Sequence, residues 1–136
     1  MCLMVYVATQ RPIKERPLNT GEPGFGVALL DREYDRAVQS QFSLPEVISV
    51  CGLHCGCGFI TPLEDGDARP HPREVLVEFL RPIVEAGEPV EIYSSWDGDQ
   101  DLPVEKTNEF DLAGLISSPE AFQERQLMTV RSSRAV

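Results

Sequence analysis

Val47-Ile48-Ser49-Val50-Cys51-Gly52-Leu53-His54-Cys55-Gly56-Cys57-Gly58-Phe59 begins as an apolar, β-branched run and turns at once into a glycine-laced loop. The first five residues suit a pleated strand and are too few for a helix. Downstream, Pro72 stands where the first position of a helix belongs, since its missing N–H costs nothing there. Leu76, Phe79, Leu80, Ile83 and Val84 then recur at three- and four-residue spacing on one face. Gly87 and Pro89 end that helix, and Val90–Tyr93 resumes as a strand. Pro82 removes a backbone bond to Glu78, so the pattern predicts a kinked helix over 72–86. Strand, helix and strand follow one another as in a βαβ unit. Should the two strands run parallel in one sheet, both finish at the same edge, where open α/β sheets bind ligands. An antiparallel arrangement would put their loops at opposite ends.

Working outward, Leu3–Ala8 and Phe25–Leu30 read as strands, separated by a turn-rich stretch with Pro12, Pro17, Gly21 and Pro23. Asp31–Gln41 fits a short helix or an extended segment. Thr61–His71 is a charged loop, and His71 is a loop residue near the helix start. Val104–Ile116 holds a further strand, Ser118 is placed to cap a short helix, and Gln126–Val130 closes the chain as a strand. The expectation is an α+β fold in a single domain over residues 1–136. It has a mixed sheet of about five strands with one main helix, 72–86, packed on it.

The chain has 136 residues, 42% of them hydrophobic and 25% charged, the balance of an ordinary globular domain. A formal charge of −10 argues against a phosphate-backbone partner, so no nucleic acid is expected. No apolar run approaches bilayer length, and the first residues lack the basic leader of a signal peptide. The reading is a cytoplasmic protein without a membrane partner. Thiols stay reduced in that compartment, which directs attention to metal or redox chemistry wherever cysteines gather.

They gather in one place. Cys51, His54, Cys55 and Cys57 fall within seven residues, and Cys2 is the fourth cysteine of the chain. This set offers soft and borderline ligands suited to tetrahedral zinc, with Cys2 as a distant ligand if the first strand neighbours strand 47–51. The spacing departs from the two separated pairs of most structural zinc sites. Cys55-Gly56-Cys57 is also close enough for a strained, labile disulfide, and His54 beside it, when protonated, favours a thiolate. It is not the Cys-x-x-Cys of thioredoxins. A third reading makes the cysteines small hydrophobes of the core, and Cys51 at the end of an apolar strand fits it best.

The neighbouring loop is Ser95-Trp96-Asp97-Gly98-Asp99. Its acids open like a calcium loop but do not complete one, because Leu102 and Asn108 stand where glycine and glutamate are required. It lies within 85–111, a stretch with nine acidic residues and one lysine. An alternative function follows from that charge: a non-catalytic interaction module whose acidic face meets a basic protein partner, with the cysteines structural. A small molecule is the other class of partner. No Ser-His-Asp set can be assembled from the two histidines, and no glycine loop leads into a phosphate-binding lysine. Met1-Cys2 is how amidotransferases of the N-terminal-nucleophile class begin, but the fold those enzymes need is larger than this chain.

Gly52-Leu53-His54-Cys55-Gly56-Cys57-Gly58-Phe59, with Met1-Cys2 ahead and Ser95-Trp96-Asp97-Gly98 behind, resembles a group of small bacterial proteins of unknown function that carry a Gly-x-His-Cys-Gly-Cys-Gly-Phe loop. The resemblance covers most of the chain. It implies that these three patches belong together and brings no activity with it.

Overall fold

A computed structural model describes residues 2–14, 25–30, 36–52, 56–60 and 71–132. Leu3–Thr9 (β1) has scarcely a polar position, the pattern of a strand covered on both faces. It sits inside a mixed sheet that also contains Phe25–Leu29 (β2), Glu46–Gly52 (β3), Val90–Trp96 (β4), Lys106–Asp111 (β5) and Gln126–Arg131 (β6). The spatial order is β2-β3-β1-β4-β6-β5. β5 pairs with β6 in parallel, and every other neighbouring pair is antiparallel.

Two helices and two 3-10 turns complete the described residues: Pro72–Glu85 (α1), Leu112–Ser117 (α2), Ala37–Gln41 and Gly56–Ile60. The α+β class and the single main helix are as the sequence predicts. The sheet has six strands rather than about five. Its least legible member is β5, a charged edge strand whose Lys106, Thr107, Glu109 and Asp111 are exposed and which shows no apolar alternation. Such charges suit an unpaired edge.

α1 begins as Pro72 requires, and His71 is its cap: Nδ1 accepts the Arg73 N–H at 3.1 Å. The helix continues through the exposed Pro82 to Glu85. Gly87 then takes a left-handed conformation, φ +83°, that an L side chain would resist. Near the C-terminus the sequence places a helix start at Ser118, and the structure corrects this. The helix precedes Ser118, with Asp111 as its N-cap accepting the Gly114 N–H at 2.7 Å and Ser118 as its C-cap. Among the described residues no helix is long and apolar enough to cross a membrane.

Alternation along the strands separates two cores. On the helix side, Leu3, Val5 and Val7 of β1, Ile48 and Val50 of β3, and Val90 and Ile92 of β4 meet Leu76, Val77, Leu80 and Val84 of α1. On the other side Tyr6, Ala8, Val47 and Tyr93 pack with Val38 of the first 3-10 turn. Burial pushes the Tyr93 hydroxyl up to about 12, the charge of Asp99 adds to this, and that of Arg125 opposes it. A phenol held neutral stabilises the fold fully below its ordinary value near 10, and this contribution disappears as pH climbs through 10 to 12. Two pKa units correspond to about 2–3 kcal/mol. The unfolding free energy from urea denaturation is therefore expected to fall by about 2 kcal/mol between pH 10 and 12. Tyr93→Phe is expected to flatten the fall, and an equally steep fall in that variant would assign it to other groups.

Candidate functional site

β3 and β4 are both antiparallel to β1, which lies between them, so they are parallel to each other and end at the same edge of the sheet. β1 begins at that edge. The start of β1, the Cys-Gly loop after β3 and the turn after β4 are thereby brought together. The Asp97 N–H donates to the Cys2 carbonyl at 2.8 Å, tying the β4 turn to the residue before β1.

β3 pairs with β1 only as far as Val5↔Val50, whereas it follows β2 to Phe25↔Gly52. Beside Leu3 the ladder is thus left open, and the Gly56–Ile60 turn fills the gap. The Leu3 N–H donates to Cys57 Sγ at 3.3 Å, so a sulfur stands where a β3 carbonyl would otherwise accept. Gly56 lies against the Leu3 carbonyl, and a Cβ at this residue would overlap that oxygen and come within 2.8 Å of Val5 Cγ2. Only glycine permits so close an approach. Phe59 anchors the end of the turn, fully buried and stacked on Phe122 with ring centroids 5.4 Å apart.

The cysteines consequently divide. Cys57 is half-buried and packs against the helix-side core. Cys2 is exposed and one residue from the N–H that Cys57 accepts. Cys51 alternates with the inward Val50 and pairs with Gly26, which puts it on the face away from α1. Burial raises its thiol pKa, against the smaller lowering by a backbone hydrogen bond with Gly26. Burial thus favours the neutral thiol at Cys51. His54 and Cys55 lie outside the described residues, and among the described residues no three metal-ligating side chains gather.

The neighbouring loop is held by its own hydrogen bonds. Gln100, fully buried, donates through Nε2 to Asp97 Oδ1 and to the Tyr6 hydroxyl, both at 3.1 Å, while its Oε1 accepts the Gly98 N–H at 2.7 Å. The Asp99 N–H donates to the Trp96 carbonyl, and the Asp99 carbonyl accepts the Leu102 N–H. Trp96 packs against the helix-side core. Ser95 is buried opposite Met4, and its hydroxyl has no hydrogen-bond partner among the described residues. Asp97 and Asp99 are thus turn-forming residues beside the thiols.

Two buried charged residues escape sequence reasoning, and the first of them frames the site. Arg73 reads as a surface position of α1 yet is buried, and its guanidinium donates to the carbonyls of Phe59, Leu115, Ile116, Ser118 and Ala121. It joins the Cys-Gly turn to α1 and to the end of α2. Its position was a signal in itself, because the first turn of a helix favours acids over cations. Glu91, within the acidic stretch, is buried and accepts from the Ser43 and Leu44 N–H groups and the Ser43 hydroxyl. Compared with known protein families, characterised proteins and solved structures, the chain matches none.

Proposed function

We propose that the chain binds one soft or borderline metal ion, zinc foremost, at the edge of the sheet where β1 begins. The ligands are Cys2 and Cys57 together with His54 and Cys55. The observation that carries this reading is the Leu3 N–H donated to Cys57 Sγ, with exposed Cys2 next in the chain. An N–H aimed at sulfur stabilises charge there, and metal ligation requires the thiolate. His54 and Cys55 precede Cys57 by three and two residues, so they add an imidazole and a third thiol for a four-ligand set. Cys51 takes no part, being on the other face. Thiols kept reduced for such a role belong in the cytoplasm, where we place the protein.

The acidic-module reading has less support, because most acids of 85–111 already have partners. Glu88 pairs with Arg11, Glu85 with Arg81, Glu105 with Arg125 and Glu109 with Arg131, while Glu91, Asp97 and Asp111 are hydrogen-bonded within the fold. The test is elemental analysis of protein purified without chelator. About one zinc per chain is expected, lost in Cys2→Ser and in Cys57→Ser and kept in Cys51→Ser. Absence of metal, or metal retained by both of the first two variants, overturns the proposal. Steeply salt-dependent capture of a basic protein by metal-free chain would then favour the acidic module.

A further inference from the structure

The sequence pairs Cys57 with Cys55, two residues away, but the fold offers it a different partner. Covalent geometry puts Leu3 N about 2.4 Å from Cys2 Cα, so Cys57 Sγ, at 3.3 Å from that nitrogen, lies within about 6 Å of Cys2 Cα. Cys2 is exposed, so its side chain has room to turn toward that sulfur. A disulfide requires Cβ atoms roughly 3.5–4.5 Å apart; rotation of the Cys2 side chain aims its sulfur, and a small backbone shift at this residue, which precedes β1, sets that spacing. Gly56, next to Cys57, is wedged against the Leu3 carbonyl and Val5, which fixes this part of the turn beside the start of β1.

We propose that Cys2 and Cys57 form a reversible intrachain disulfide on reaction with a hydroperoxide, and that this releases the metal ion. The inference rests on the zinc reading for the release and on the geometry alone for the disulfide. The exposed Cys2 thiolate attacks one peroxide oxygen. The O–O bond breaks, and Cys2 becomes a sulfenic acid while the remaining oxygen leaves as water or an alcohol. Cys57 thiolate then attacks the Cys2 sulfur, the S–S bond forms, and the sulfenic oxygen departs with a proton as water. Two thiols have lost two electrons and the peroxide has gained them. A dithiol reverses the bond by exchange. Two of the four ligands are consumed, so the ion is released.

Protein purified without chelator is treated with one equivalent of hydrogen peroxide. Released zinc is read with a chromophoric chelator, and disulfides are mapped by mass spectrometry of unreduced peptides. The expected product is a Cys2–Cys57 link within one chain, still formed in Cys55→Ser, absent from Cys2→Ser, and undone by dithiothreitol. Zinc appears in step with it. Because Cys2 is exposed, loss of the link in Cys2→Ser does not signify misfolding. A link from Cys57 to Cys55 or Cys51, a link between chains, or oxidation without any link overturns the inference. Protein that carries no metal yet forms the Cys2–Cys57 link sinks the zinc reading and leaves the disulfide standing. Zinc-loaded protein that forms no link does the reverse.

Discussion

Replacing Arg73 by methionine is expected to cost about 4 kcal/mol of stability, a large share of what a domain of this size possesses. Methionine keeps much of the apolar stem and removes every donor. Phe59, Leu115, Ile116, Ser118 and Ala121 would lose the N–H groups that satisfy their carbonyls. Each buried carbonyl left without a partner costs about 1–3 kcal/mol, and the costs are not additive. No carboxylate among the described residues pairs with the guanidinium, and burial lowers its pKa without an opposing charge. Its role is therefore that of a clamp on five carbonyls. Its Cζ also stands 4.9 Å from the centre of the Phe122 ring, adding a cation–π contact. Lysine, with three donors on a point charge, is expected to recover only part of the loss. Urea denaturation of the two variants measures both effects, and a change under 1 kcal/mol for methionine would show that water replaces the clamp.

Gly56→Ala is the second large effect expected, about 3 kcal/mol with loss of metal binding. The added methyl meets a backbone carbonyl of the sheet's first strand and the Val5 side chain, neither of which can swing aside. Relief requires the turn to back away from β1, which carries Cys57 Sγ off the Leu3 N–H. Stability and zinc content are thus expected to fall together. A variant within 0.5 kcal/mol of wild type, with its zinc intact, would mean that the turn does not need this approach. Cys57→Ser separates the two consequences, since it removes the ligand without adding bulk.

Much of this arrangement can be read locally. The apolar spacing of α1, the proline at its start and the β-branched runs announce their elements, because each depends on residues near in sequence. β5 and α2 are harder. Leu112, Leu115 and Ile116 span too few residues to establish a helical period, and a charged edge strand looks like a loop. Strand order depends on distant partners and left only one trace, the unbroken apolar run of β1. For the site, composition finds the thiols but not their sorting. Alternation from Val50 hints that Cys51 faces away. That Cys57 meets the start of β1, next to Cys2, follows from β1 lying beside the end of β3. Phe122 is similarly invisible beforehand: a bulky residue at φ +62° is held there by its stack on Phe59 and the guanidinium above it.

The central place of β1 bears on how the chain reaches this fold. Leu3–Thr9 is made before both of its partners, Glu46–Val50 on one side and Val90–Trp96 on the other. The apolar strand at the heart of the sheet must therefore wait until most of the chain has left the ribosome before its second ladder can form. Contacts so distant in sequence slow folding and leave a sticky segment uncovered meanwhile. Nascent chains halted before residue 90 are expected to bind holdase chaperones through Leu3–Thr9 and to let go once β4 has emerged.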